Sequence, residues 1–329
     1  MRQSPSADLS RAFLVVRDGE AMPEALRGAV LAIGNFDGVH RGHQALIGEA
    51  RRIAAGQGRP AGVLTFEPHP RQVFAPDTPL FRLTPEAEKL RLLARLDLEG
   101  AVVSRFDAAL AGLSAEDFVD RLLGERLGAA GVVVGHDFHF GRGRAGSPER
   151  LRALAAARGM GCTVIPAVTD GDEPVSSSAI RRALAEGDVA RANALLGYRW
   201  FVEGEVAHGA KRGRTLGYPT ANLSLPATCG LRHGIYAVRM RLADGRILPG
   251  VASFGRRPTF DDGAPLLETH LFGFSGDLYG QTVRVELAAW IRGEERFASA
   301  QALVARMDRD SEEARAALAG DDGLASAIG

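Results

Sequence analysis

Short apolar runs alternate with helix-period patterns over the first half of the chain, and the rhythm changes in the second half. Runs at residues 13–16, 29–33, 62–66, 101–103, 132–134 and 163–168 are rich in Val, Ile, Leu and Ala and nearly free of charge. Such runs are expected of strands covered on both faces. Helical stretches lie between them. Thr84-Pro85 and Ser147-Pro148 each place a capping hydroxyl before a proline at the first helical position, and Ser114 with Asp117 forms a capping-box pattern ahead of Phe118 and Leu122. This alternation predicts an α/β domain with a parallel sheet and right-handed crossovers.

Two helical turns follow Ser177, at 179–186 and 189–196, and end at Gly197. Beyond them, residues 200–206, 234–241, 247–252, 268–272 and 282–287 read as strands separated by Gly, Pro and Asp turns, with no long helix between them. That predicts an antiparallel sheet closing into a barrel. A final helix is expected over 300–319, capped by Ser299. The change of rhythm puts a domain boundary near 187–198, giving domains at 12–187 and 188–319.

Composition narrows the chemistry. Forty Lys and Arg balance forty Asp and Glu, for a formal net charge of zero. A neutral chain lacks the footprint of a protein that works on long nucleic acid or an anionic membrane, but small phosphorylated ligands need only a local cradle. The two cysteines, Cys162 and Cys229, are far apart and have no metal-ligand spacing. They argue against a disulfide scaffold. No apolar run approaches the roughly 20 residues of a membrane span, and the first ten residues carry no signal-peptide core. A cytoplasmic location is the expectation.

The first candidate site is Gly34-Asn35-Phe36-Asp37-Gly38-Val39-His40-Arg41-Gly42-His43, between the strand at 29–33 and a helix expected over 44–54. A glycine-rich strand-to-helix turn lets backbone N–H groups approach a phosphate, and the helix N-terminus favours negative charge. It is not a P-loop, since no Gly-Lys-hydroxyl end is present. His40 and His43 share one helical face and can donate hydrogen bonds to a phosphate as charge develops. On the residues alone, a fortuitous surface pair or a zinc pair remains an alternative; no third metal ligand of suitable spacing accompanies it.

The complete string resembles the HxGH nucleotidyltransferase superfamily, in the form of its flavin adenylyltransferase branch. Two later segments fit in order. Gly135-His136-Asp137-Phe138-His139-Phe140-Gly141 is similar to a family string lining the nucleotide and flavin sites, with His139 where arginine is usual. Val175-Ser176-Ser177-Ser178-Ala179-Ile180-Arg181 is similar to the Ser-Ser-Thr-x-Ile-Arg segment, with Ser178 replacing threonine. The resemblance implies a Rossmann-like sheet in which His40 and His43 are catalytic. It also implies that Gly34, Phe36, Asp37, Gly42, Asp137, Phe138, Gly141, Ser177, Ser178 and Arg181 bind ATP and flavin. Thr65-Phe66-Glu67-Pro68-His69-Pro70 fits as pocket wall.

In the second half, the basic glycine-rich run from Gly209 to Gly217 leads into Tyr218-Pro219-Thr220-Ala221-Asn222. Such a run can wrap phosphates, although by itself it is equally a hairpin loop. With Pro-Thr-Ala-Asn after it, the stretch is similar to the riboflavin kinase family, and Glu268-Thr269-His270-Leu271-Phe272 matches the string bearing that family's general base. The resemblance implies Glu268 as catalytic base and Thr220 and Asn222 as Mg²⁺ ligands. Gly209, Lys211, Gly217, Pro219, Thr220, Asn222 and Arg292 would bind ATP or flavin. Ser253 and Gly273 depart from the usual asparagine and acidic residue.

Over residues 12 to 318 the chain thus resembles the prokaryotic bifunctional riboflavin kinase/FAD synthetases. The implied ligands are Mg²⁺, ATP, riboflavin, FMN and FAD; the implied partners are these small molecules, with no nucleic acid or membrane and a weak homo-oligomer as the expected assembly. An adenylyltransferase for another small substrate would explain His40 and His43 but not the second half. A flavin-binding regulator without catalysis would explain only the departures at His139, Ser253 and Gly273.

Overall fold

The computed structural model describes residues 12–208, 217–256 and 265–320. The chain folds into two compact units. Of the described residues, one unit holds those up to Thr78 together with Lys89–Thr169; the other holds Pro79–Glu88 and those from Asp170 onward.

The first unit is built on six parallel strands: β1 (Leu14–Arg17), β2 (Val30–Ile33), β3 (Ala61–Glu67), β4 (Gly100–Arg105), β5 (Gly131–Gly135) and β6 (Gly161–Ile165), in the order β1-β4-β3-β2-β5-β6. Leu31, Ala32, Val63, Leu64, Val132 and Val133 are fully buried, as the uninterrupted apolar runs require of central parallel strands. Connecting helices are α1 (Arg41–Gly56), α2 (Pro70–Phe74), α3 (Glu86–Ala94), α4 (Ala108–Ala111), α5 (Ala115–Asp117) and α6 (Pro148–Ala156). The Ser147 hydroxyl accepts from the Arg150 N–H with Pro148 at the first helical position, as its sequence predicts. α3 instead begins at Glu86, one residue beyond the expected proline start. The Ser114 cap accepts from the Asp117 N–H, yet the turns that follow, Phe118–Arg126, are a π-helix rather than an α-helix.

The strands β7 (Thr169–Asp170) and β8 (Glu173–Pro174) form a separate two-stranded sheet. Helices α7 (Ser177–Glu186) and α8 (Val189–Leu196) then each end on a left-handed glycine, Gly187 and Gly197.

The second unit's sheet comprises β9 (Phe201–Glu205), β10 (Ala221–Ser224), β11 (Gly234–Arg241), β12 (Ile247–Arg256), β13 (Pro265–Leu271) and β14 (Thr282–Arg292). They run antiparallel in the order β10-β13-β12-β11-β14-β9. The edges meet where Ala207 bridges Asn222 and its N–H donates to the Asn222 carbonyl at 2.9 Å, so the barrel is nearly closed. Alternation along β11 sends Tyr236, Val238 and Met240 to the buried interior. Ile235 and Ala237 on the opposite face pack with Ala314 and Leu318 of α9 (Ala300–Ala319). The α9 cap is Ser299, as expected, accepting from the Ala302 N–H. Among the described residues no helix is long and apolar enough to cross a membrane.

Candidate functional site

β3, β2 and β5 are neighbours, and their C-terminal ends release residues 65–70, 34–43 and 135–141 at one edge of the sheet. Crevices at this edge, where strand order reverses, are where open α/β sheets bind ligands. The turn after β2 is tight. Phe36, Gly38 and Val39 take φ of 51°, 87° and 39°, a left-handed path that costs a phenylalanine or a β-branched valine energy. The Phe36 and Val39 side chains are fully buried, and Gln44 Nε2 donates to the Val39 carbonyl at 2.8 Å. The surrounding structure therefore holds the strained path, which ends at His40, the N-cap of α1.

His40 Nδ1 accepts from the His43 N–H at 3.3 Å, which in a neutral ring leaves the proton on Nε2. The two imidazoles stack with centroids 3.6 Å apart, and Phe36 meets His43 edge-on at 5.1 Å. His43 Nδ1 is buried without a hydrogen-bond partner. Burial, then the neighbouring His40, then the Lys89 ammonium hold the His43 imidazole well below its usual pKa of 6.5. It is thus a neutral ring at pH 7.

The unfolded chain, by contrast, protonates His43 near the usual value. The contribution of the neutral ring to stability is therefore complete above about pH 6.5 and is lost as pH falls below it. We expect wild-type stability, measured by urea unfolding between about pH 7 and 5, to fall more steeply than that of His43→Gln. Parallel pH profiles would contradict this.

Gly34 follows β2 directly and its N–H donates to the Leu64 carbonyl at 3.1 Å; Gly42 is the second residue of α1, and Asp37 is buried. After β5, Phe138 and Phe140 stack with centroids 5.5 Å apart. Gly141 has φ of 71°, and a Cβ there would lie 3.1 Å from the Ala115 nitrogen. Asp137 is exposed, and the exposed His139 turns its Nδ1 to the Asp137 carbonyl at 2.8 Å.

Ser177, Ser178 and Arg181 lie on α7, which is grouped with the second unit. The cap of that helix is Ser176, so Ser177 and Ser178 are its first two helical residues. Arg181 Nε donates to the Phe81 carbonyl at 2.6 Å.

In the barrel, strand register makes a row that spacing alone does not show. Asn222 on β10 stands opposite Glu268 on β13, Glu268 opposite Ser253 on β12, Ser253 opposite Ile235 on β11, and Ile235 opposite Arg292 on β14. Directly opposed residues point to one face, with Cβ atoms roughly 5 Å apart. Glu268 thus stands between an amide and a hydroxyl on the face opposite the buried Leu267 and Thr269. Arg292 is held by Asp310 of α9 through two bonds, at 2.8 and 2.6 Å, and its Nη1 donates to the Gly293 carbonyl. Its partner Asp310, which nothing in the sequence pattern singles out, is itself buried.

A cavity of about 280 Å³ is lined by Pro219, Thr220, Asn222, Thr269, Asp277 and Tyr279, among others; Glu268 is not part of its wall. Asn222 Oδ1 and Thr269 Oγ1 are buried without hydrogen-bond partners. Thr220 and Asn222 offer neutral oxygen donors, which suit Mg²⁺ completed by nucleotide oxygens and water. The Pro219 carbonyl lies 3.0 Å from His270 Nδ1, and the Tyr218 hydroxyl bonds Asp308. Gly217 has φ of 86° at the edge of this segment, whereas Gly209 and Lys211 lie outside the described residues. Gly273 has φ of 66° with open space around it, so a glycine suits the turn after β13.

Both halves of the chain match known protein families. An FAD synthetase family model matches residues 22–179, and a riboflavin kinase family model matches residues 196–318. The bifunctional riboflavin kinase/FMN adenylyltransferase of Escherichia coli K12 is 41% identical over 288 residues, covering 88% of this chain and 92% of that protein. The Bacillus subtilis protein of the same description is 38% identical over 301 residues, covering 87% and 91%. A solved structure described as a macrolide-efflux protein from Streptococcus pneumoniae has a TM-score of 0.82 at 31% identity, covering 92% of this chain and 98% of that one. With both family models in the same order as the two sites, the chain belongs to the bifunctional riboflavin kinase/FMN adenylyltransferase family.

Proposed function

We propose that this chain makes FAD from riboflavin in two ATP-dependent steps, with the barrel acting as kinase and the parallel-sheet unit as adenylyltransferase. In residue terms, the functional domains are 12–187 and 188–319. The observation that carries the reading is the stacked His40–His43 pair, set by a strained turn at the sheet edge where the β2, β3 and β5 segments converge.

In the kinase step the ribityl 5′-hydroxyl attacks the γ-phosphorus of ATP. The O–P bond forms as the bond to the ADP oxygen breaks, and Glu268 accepts the hydroxyl proton. Asn222, opposite Glu268, and Thr220 hold the nucleotide end of the site beside the cavity, where their oxygens also suit Mg²⁺. Bound there, Mg²⁺ neutralises phosphate charge. Arg292, fixed by Asp310, acts in this row as an anchored cation.

In the second step a phosphate oxygen of FMN attacks the α-phosphorus of a second ATP, and pyrophosphate leaves. No proton need be abstracted from a phosphate dianion, so the site's task is to position the phosphates and stabilise charge. His40, its proton on Nε2, and neutral His43 serve as hydrogen-bond donors to the transferring phosphoryl group. The amides of the 34–43 turn and the α1 N-terminus add to that field. Phe138, half-buried and backed by the buried Phe140, provides aromatic surface for the flavin end.

The test is direct. Purified protein, riboflavin, ATP and Mg²⁺ are incubated and the flavins separated by chromatography; FMN and then FAD are expected. No flavin product overturns the reading, and FMN without FAD removes the adenylyl-transfer assignment alone.

A further inference from the structure

A lysine is a costly residue to bury, because its ammonium gives up hydration that a core must replace. Lys89 on α3 is completely buried. Its Nζ donates to Glu67 Oε1 at 2.6 Å, to Thr65 Oγ1 at 3.0 Å and, at 3.4 Å, toward the Asn35 carbonyl. The Thr65 hydroxyl reaches that same carbonyl at 3.2 Å. Three separate pieces of chain are therefore gathered on one ammonium: the end of β3, helix α3, and the turn that leads to His40.

Where the contact falls matters. Asn35 immediately precedes the left-handed Phe36, and the path from Phe36 to Val39 is not one these residues adopt by preference. Strained backbone persists only when its surroundings over-determine it. The Gly34 N–H to Leu64 carbonyl bond and the Gln44 side chain on the Val39 carbonyl hold the two ends of the turn. The Lys89–Thr65 pair grips its entry, at the peptide that sets the direction of Phe36. Lys89 also contributes to keeping His43 unprotonated, which places its charge within electrostatic reach of the imidazole.

A simple core-filling role would be met by methionine or leucine at lower desolvation cost. We propose that Lys89 is a positioning residue for adenylyl transfer: through the Asn35 carbonyl and Thr65 it fixes the strained turn, and so the placement of His40 and His43, without touching either substrate. The inference rests on the adenylyltransferase reading of the first site.

Lys89→Met keeps the aliphatic stem and removes the charge and its bonds. With FMN supplied, kcat for FAD formation per native protein should fall about 30- to 100-fold, the scale of a displacement of order 1 Å at a catalytic group. KM for ATP should move less than about threefold, because the loss lies in the transition state. Riboflavin phosphorylation by the same sample should be unchanged, reporting a native barrel. Thr65→Val, which leaves the Lys89–Glu67 pair in place, should lower kcat in the same direction by at least about fivefold. The double variant should fall no further than Lys89→Met, since both act through one carbonyl.

An unchanged kcat per native protein in Lys89→Met, or a rise confined to KM, would overturn the proposal. If Lys89→Met does not fold, Thr65→Val decides, and a wild-type kcat in that variant overturns it equally. Wild-type protein that makes no FAD from FMN would instead overturn the underlying reading of the site.

Discussion

His43→Ala should cut FAD formation from supplied FMN and ATP by about 10²- to 10³-fold, the usual cost of removing one preorganised donor to developing charge. Riboflavin phosphorylation in the same sample should stay within about twofold, because Glu268, Thr220 and Asn222 belong to the other compact unit. The expected size follows from geometry. His43 is fixed by its stack on His40, by Phe36 at its edge and by its own N–H on His40 Nδ1, so little reorganisation is needed when charge develops. Its Nδ1, buried without a partner, carries a desolvation cost that a phosphate oxygen or an ordered water can relieve. Measurement by single-turnover conversion of FMN would separate chemistry from product release. FAD formation within tenfold of wild type would remove His43 from the catalytic role.

Glu268→Gln is the complementary experiment. Loss of the carboxylate should lower riboflavin phosphorylation by about 10²- to 10⁴-fold, the range for a positioned general base. FAD formation from supplied FMN should persist. Glutamine keeps the size and the place in the row between Asn222 and Ser253, so the change tests proton acceptance rather than packing. A fall in kcat with little change in KM for riboflavin is the expected signature. Retention of more than a tenth of the wild-type rate would move the base elsewhere and leave Glu268 as a strand residue on the outer face. In either variant, parallel loss of both activities would show that the two steps are coupled.

The departures from family pattern acquire separate physical meanings. Ser253 stands directly opposite Glu268, so it bears on the row proposed for the kinase step. His139 is exposed and occupied with the Asp137 carbonyl. Gly273 answers a backbone requirement, a left-handed turn into open space.

Local chemistry made much of this protein legible from its sequence. The continuous apolar runs of β2 to β5 specified buried parallel strands, because burial on both faces leaves no polar alternation, whereas the runs of the edge strands β1 and β6 are only partly buried. Ser147 and Ser299 marked helix starts, because a cap satisfies N–H groups within one turn. The His-x-Gly-His and Pro-Thr-Ala-Asn strings placed both candidate sites for the same reason: their chemistry is carried by residues adjacent in the chain.

What tertiary structure alone decided is non-local. β10 has four residues, and its Asn222 is a polar group buried against β13; no periodicity in so short a segment announces a strand. Its pairing with β13 puts Asn222 beside Glu268, and a slip of one residue would send Glu268 to the other face. The left-handed path through Phe36 and Val39 contradicts the preference of both residues, and packing around the turn overrides that preference. Lys89 reads as a surface residue in any sequence pattern, since lysine is rarely buried unless paired. Only the fold supplies Glu67, Thr65 and Asn35, from the end of β3 and the turn after β2, to make its burial tolerable.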